Sequence, residues 1–235
     1  MNILSFSAGH AAQQVQQPVT GVEGVFHWLD IERSEADWYE QVRPWLDIRI
    51  DERHIKDSIN ATHPPFYDGT DEYDMLVVRA PAQESTTDTL ATGSIALFIT
   101  SGMIISIRPP GDPVFDRQQQ RFLSGERKSP AGPAMLLYLL LDLVTEGLMQ
   151  FRLHIGNRLS TWQDNLLDRE ETFRDWSDLV RLRSQLRQLE LTVESQIDAL
   201  EEWRDRTSLA LEQSLQVRFR DLDEHHNRVL NTMVL

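Results

Sequence analysis

The sequence contains no cysteine. Disulfides, thiolate metal sites and a cysteine nucleophile are therefore excluded. No secretory leader is expected, because Met1 to Gly9 has no basic start and no long apolar stretch follows. The most apolar run, Ala134 to Leu141, ends at Asp142. It is well short of the roughly 20 apolar residues that a membrane-spanning helix needs, so it is expected to be the buried start of a helix. Signatures of catalysis are also missing. There is no Gly-x-Ser-x-Gly elbow, no phosphate-binding glycine loop and no His-Glu-x-x-His pair. No nucleophile, base and orienting group can be assembled, which argues against an enzyme. His54 or His63 with nearby carboxylates is the one place left for metal-dependent hydrolysis.

Positive charge is scarce. Lys and Arg total 23 against 37 Asp and Glu, a formal net charge of −14. Such a surface repels phosphate backbones, so a nucleic-acid partner is not expected. It gathers cations, over a range that physiological salt limits to about 8 Å.

The chain of 235 residues divides into two patterns. Up to about residue 125, short apolar runs alternate with turn signals. Residues 24–31 read as a strand rich in aromatic and branched residues, with Ser34 as the N-cap of a helix carrying Trp38, Val42 and Trp45. Residues 51–59 read as a short helix, and Pro64-Pro65 and Asp68-Gly69 as a loop. Tyr73 to Ala80 is strand-like. Residues 94–100 and 103–108 form a hairpin through Ser101-Gly102, and 113–123 a helix.

Beyond Pro130 the pattern is helical. Apolar residues recur at Leu137, Leu140, Val144, Leu148, Phe151, Ile155, Leu159, Trp162 and Leu166, in steps of three and four that place them on one helical face. Asp168 to Glu171 is a polar break. A second stripe runs from Leu179 through Leu189 and Leu200 to Trp203. A third takes in Leu211, Leu215, Phe219, Leu222, His226, Val229 and Met233. The expected fold is α+β: a mixed α/β/α sandwich head, residues 1–125, followed by long antiparallel, coiled-coil-like helices over 130–235. Long amphipathic helices must hide their stripes on neighbours, within the chain or in another subunit. The last stripe reaches Leu235 without a glycine cap or proline stop, so that helix is expected to continue.

Two acidic groupings suit a hard cation. Asp71-Glu72 with Asp74 is a carboxylate cluster of the kind Mg²⁺ accepts, although a solvated loop fits it as well. Asp221 lies one helical turn before His225, but His226 falls on the apolar stripe and His225 on a charged face.

The order of these features resembles the cytoplasmic part of the CorA-like divalent-cation transporters, a family that includes the ZntB zinc transporters. The resemblance is carried by Asp57, Ile59 and Asn60 at the end of a short helix, and by His63-Pro-Pro65 before the strand Leu76-Val-Val-Arg79. It continues through Phe98-Ile-Thr100 with Ile104-Ile-Ser-Ile-Arg108, the proline-led helix from Pro130, and the leucines of Leu182 to Trp203. Ser58 departs from the family's apolar residue at that place, and its Gly-Met-Asn signature is absent.

The resemblance implies a homopentamer at the inner membrane, this part lying on the cytoplasmic side. Membrane helices would lie in segments this sequence does not include. It also implies a bound divalent cation, Mg²⁺ first, with Co²⁺, Ni²⁺ or Zn²⁺ as alternatives, held between head and stalk helix to stabilise a closed state. The loop after the Tyr73–Ala80 strand would supply Glu84, with Asp88 second. The stalk would supply Asp221 or Asp223, or a residue beyond Leu235. A soluble oligomeric scaffold or signalling adaptor built on the same helices is the alternative.

Overall fold

The computed structural model describes residues 1–82, 85, 90–167 and 176–231, without the side chains of 163–167 and 231. Its seven strands are β1 (Asn2–Ser7), β2 (Gln13–Gln14), β3 (Val25–Glu32), β4 (Phe66–Gly69), β5 (Asp74–Pro81), β6 (Thr92–Ile99) and β7 (Met103–Arg108). They form one mixed sheet in the order β2-β1-β3-β7-β6-β5-β4. β3 and β7 pair in parallel, His27 opposite Met103 and Ile31 opposite Ile107, while β5, β6 and β7 make an antiparallel meander.

Both faces of this sheet are buried, and the side-chain period of two sorts residues between them. On one face Trp28, Leu76, Leu97 and Ile104 meet α3 (Pro113–Leu123), α4 (Pro133–Leu167), α5 (Trp176–Arg206) and α6 (Gln213–Asn231). On the other face Leu29, Met75, Phe98 and Ile105 pack with Trp38, Val42 and Ile50, from α1 (Trp38–Val42) and the segment leading into α2 (Glu52–Ser58). The expected α/β/α sandwich followed by long helices is the architecture observed.

The long helices carry the expected stripes. Leu136, Leu137, Leu140 and Val144 of α4, Leu200 and Trp203 of α5, and Leu215, Phe219 and Leu222 of α6 share the core beneath the sheet. Farther out, Leu148, Phe151, Ile155 and Trp162 pack with Leu182, Leu189, Val193 and Val229 in a second helical core. The sequence of these contacts sets direction: α4 and α6 lead away from the sheet and α5 returns to it.

Several local expectations need correction. The first helix starts after Asp37, not Ser34, and Asp37 makes no side-chain cap bond. The Pro64–Gly69 stretch contains β4, paired to β5 with Tyr67 opposite Leu76, so tertiary pairing overrides the turn residues. The apolar run of α4 does not stop at Asp142. Pro133–Trp162 is long and apolar enough by composition to cross a membrane, with a mean hydropathy of 1.5. In this fold Leu136, Leu137 and Leu140 are wholly buried in the protein core. Asp142 is tolerated because it lies only half-buried, and burial pushes its carboxyl above the ordinary range. The Asp168–Glu171 break lies outside the described residues.

Candidate functional site

The strands that build the sheet also bury carboxylates. Asp74 faces the long helices from the start of β5 and accepts three hydrogen bonds: from Tyr67 Oη at 2.9 Å, Trp203 Nε1 at 3.1 Å and Thr207 Oγ1 at 2.6 Å. Burial and this bond to Asp74 push the Tyr67 phenol well above its usual value. The proposed Asp71-Glu72-Asp74 cluster is thereby divided: Asp74 is 6% exposed inside the core, whereas Asp71 and Glu72 are exposed in the turn before β5. Asp71 and Glu72 stay in the solvated turn while Asp74 opens β5 on its buried face, so sequence proximity did not make a site.

Asp30 of β3 is the second buried carboxylate. Ser106 Oγ donates to it at 2.6 Å, Arg108 Nε at 2.9 Å and Gln119 Nε2 at 2.6 Å. Trp28 Nε1 in turn donates to Ser106 Oγ at 2.9 Å, and Arg108 Nη2 reaches Asp116 at 2.5 Å. Burial pushes the Asp30 carboxyl up, and Arg108, Ser106 and Gln119 pull it back. Arg108 and Gln119 donate to it and Ser106 is placed to do so, an arrangement that suits an ionised carboxylate. The network clamps α3 to the sheet.

His54, the residue held open for hydrolytic chemistry, is 4% exposed. Its Nδ1 lies 2.7 Å from Tyr73 Oη and its Nε2 3.0 Å from Asp68 Oδ2. Both ring nitrogens are committed, and Tyr73 Oη also accepts from Asp51 N at 3.0 Å. His63 stacks at a tilt on Phe66, ring centroids 4.8 Å apart, and its Nε2 lies 3.7 Å from Asp57. Neither histidine reaches the other carboxylates needed for a metal site. Among the described residues no group of three or more His, Asp or Glu is placed to hold a metal ion.

Glu84 and Asp88 lie outside the described residues. The described residues around them are hydrogen-bonded to one another. Ala82 N donates to Ala91 O at 2.8 Å, and Ser85 Oγ donates to the same carbonyl at 2.5 Å. Leu90 is 4% exposed and belongs to the outer helical core with Leu148 and Phe151. Pro81 lies so close to Gly147 that a Cβ there would sit 3.3 Å from Pro81 Cδ. Pro81 and Leu90, which flank the two acids in the chain, thus both lie against α4.

On α6, Asp221 and Asp223 have different surroundings. Asp223 is paired with Arg204 of α5, both side chains about one-fifth exposed. Asp221 is exposed and has no cation within 4 Å among the described residues. Asp221 and His225 belong to no group of three or more His, Asp or Glu placed to hold a metal ion among the described residues. His226 is wholly buried, as the apolar stripe implied. Its Nδ1 donates to Leu222 O at 3.0 Å, and Gln196 Nε2 lies 3.4 Å from its Nε2. Thr145 Oγ1 is 3.2 Å away. Gln196 Oε1 meanwhile accepts from Arg79 N at 2.9 Å, beyond the end of β4 where the edge of β5 is open. The sequence carries no signal for this chain of contacts beyond a histidine on an apolar stripe.

The model of the family described as "CorA-like Mg2+ transporter protein" matches residues 23–234. The chain belongs to the CorA-like Mg²⁺ transporter family. Comparison with curated protein sequences finds no match. Several solved structures share the fold. The full-length CmaX protein is 16% identical with a TM-score of 0.80, the match covering 98% of this chain and 71% of CmaX. The complete CorA magnesium transporter of Methanocaldococcus jannaschii is 14% identical with a TM-score of 0.79, over 98% of this chain and 71% of that one. The ZntB cytoplasmic domain of Vibrio parahaemolyticus is 18% identical with a TM-score of 0.70, over 98% and 90%. At these identities the CorA-like likeness is one of fold: a mixed sheet covered by helices, with a long helix leading away from it.

Proposed function

We propose that this chain is the cytoplasmic ion-sensing and gating part of a divalent metal-ion transporter, with Mg²⁺ the first candidate ion. The observation that carries the reading is the family match over residues 23–234. The division into a head, residues 1–125, and a long-helix region, 130–235, is part of this proposal, as are the homopentamer and the position on the cytoplasmic side of the inner membrane. By itself the chain moves no ions.

The loop bearing Glu84 and Asp88 supplies carboxylates from the head, and Asp221 supplies one from the last helix of a neighbouring subunit. Its exposure and its lack of a cation favour it over Asp223, which Arg204 already neutralises. Carboxylates brought together across a subunit boundary repel one another, and a shared dication cancels the repulsion. Loss of the ion then shifts the population toward separated subunits.

Light scattering of the chain in Mg²⁺ and in chelator tests the proposal. Assembly, or thermal stabilisation, that appears with Mg²⁺ and weakens in Glu84→Gln with Asp88→Asn supports it. Assembly indifferent to Mg²⁺ and chelator overturns it in favour of a scaffold or adaptor.

A further inference from the structure

Gln196 of α5 and His226 of α6 are both wholly buried, and their side chains tie the last helix to the sheet. β4 pairs with β5 only as far as Phe66 opposite Val77. Past that point Gln196 takes the place that another strand residue would have, its Oε1 accepting from Arg79 N at 2.9 Å. Its Nε2 lies 3.4 Å from His226 Nε2, and His226 Nδ1 lies 3.0 Å from Leu222 O.

The chemistry of the two ends fixes the orientations between them. A backbone N–H only donates, so the amide presents Oε1 to Arg79 and its NH₂ group to His226. The Leu222 carbonyl only accepts, so Nδ1 carries the ring proton. Desolvation holds the ring neutral by pulling its pKa down to about 4. Nε2 is then an acceptor, and Thr145 Oγ1, 3.2 Å from it, gives its own proton to Leu141 O. Gln196 is the donor left for Nε2. A movement of α6 that parts the two leaves a buried amide without its acceptor, at the cost of an unmade hydrogen bond in the core.

We infer that Gln196 is a positioning residue that couples the last helix to the edge of β5. The inference rests on the proposed ion-sensing role and deepens it. Asp221, the proposed ligand on α6, precedes His226 by five residues, and Glu84 follows Arg79 by five. The relay thus joins, within one subunit, the helix and the strand that lead to ligands at two different subunit boundaries. An ion held at Asp221 fixes α6, and through His226 and Gln196 it fixes the Arg79 end of β5. Coupling is reciprocal, so loosening the relay weakens the ion although no member of the relay touches it.

The test titrates the whole chain with Mg²⁺, followed by thermal unfolding and by hydrogen exchange of the Arg79 amide. Mg²⁺ is expected to slow that exchange at least about tenfold, and Asp221→Asn to abolish the slowing. Gln196→Met is similar in volume but has neither donor nor acceptor. It is expected to weaken Mg²⁺ about tenfold and to leave Arg79 exchanging at one rate with and without the ion. Gln196→Glu keeps the acceptor for Arg79 N and draws a proton onto His226, which closes the relay again as a charged pair. It is expected to bring Mg²⁺ affinity back to within about threefold and to raise the His226 pKa. A packing role for Gln196 predicts no such rescue. His226→Leu opens the relay at its other end and is expected to weaken Mg²⁺ as Gln196→Met does, which keeps the test decisive if that variant does not fold. Unchanged Mg²⁺ affinity in either variant, or an Arg79 amide indifferent to Mg²⁺, overturns the coupling and leaves the proposed ion site standing. A chain with no Mg²⁺ response overturns the proposed function, and the coupling with it.

Discussion

Trp203 and Asp74 are 129 positions apart in the chain, and the indole Nε1 of one donates to the carboxylate of the other at 3.1 Å. This bond fixes the returning end of α5 to the start of β5. Tyr67 and Thr207 complete the coordination of the same carboxylate. Asp74→Ala leaves three donors without an acceptor in the core, and each buried orphan costs about 1–3 kcal/mol. A loss of at least about 3 kcal/mol is expected in urea unfolding. Trp203→Phe removes one donor and a little volume, so a smaller loss of about 1–2 kcal/mol is expected. Gly69→Ala acts on the same centre at a distance, because an added Cβ would overlap the Tyr67 hydroxyl and push it off Asp74.

Arg108 and Asp30 form a buried charge pair, at 2% and 1% side-chain exposure. Removing one partner strands the other charge. Arg108→Met is therefore expected to destabilise by about 3–5 kcal/mol. Asp30→Asn added to Arg108→Met removes the stranded charge and is expected to recover part of that loss, with a coupling of about 1–3 kcal/mol. A double-mutant cycle in denaturant measures it. A coupling near zero would mean that Ser106 and Gln119 alone hold the carboxylate.

His226 gives stability a pH dependence of definite sign. Desolvation foremost, with His225 as a neighbouring like charge, pulls its pKa down from 6.5 to about 4. The neutral ring is the folded form. Above pH 6.5 neither the folded nor the unfolded state protonates it, and the stability is fully present. As pH falls from 6.5 toward 4 the unfolded chain takes up the proton first, and stability drops. The full effect is on the order of 3 kcal/mol. Carboxylates elsewhere also titrate toward the lower end, so the decisive quantity is the difference from His226→Leu. Denaturant unfolding at pH 7, 5.5 and 4.5 should show the unsubstituted chain losing stability faster than the variant. Parallel curves would show that the ring is solvated when charged.

Where local chemistry dictates structure, the sequence could be read directly. Asp112-Pro113 marks the start of α3 because the Asp side chain accepts from Val114 N at 2.8 Å and proline suits a first turn. The hairpin turn at Ser101-Gly102 and the leucine stripes were legible for the same reason: each depends on residues a few positions apart. β1 was not, since Asn2–Ser7 is a short terminal segment whose Leu4 and Phe6 acquire meaning only opposite Trp28 and Phe26. β4 hid among turn residues because its order comes from β5. The buried carboxylates were illegible for a stronger reason. Asp74 and Asp71 look alike in sequence, and donors brought up by the fold, Trp203 and Thr207 far along the chain and Tyr67 on β4, separate a core acceptor from a solvated acid.

The two acids of α6 make opposite predictions. Asp223 is bound to Arg204 within its own chain, both groups largely but not wholly shielded. Asp223→Asn is expected to cost up to about 1 kcal/mol of stability, the range of partly exposed pairs. It should leave the response to Mg²⁺ intact. Asp221 is exposed and unpaired with any cation among the described residues, so Asp221→Asn should leave unfolding in chelator unchanged. Its effect should appear when Mg²⁺ is added. An ion present at about 100 times its dissociation constant stabilises the bound state by about 2.7 kcal/mol. A tenfold weaker site loses about 1.4 kcal/mol of that. Thermal unfolding with and without Mg²⁺, run on both variants, separates the roles. If Asp223→Asn rather than Asp221→Asn abolishes the Mg²⁺ increment, then Arg204 is a placeholder that the ion displaces, and the assignment of the stalk ligand moves by two residues.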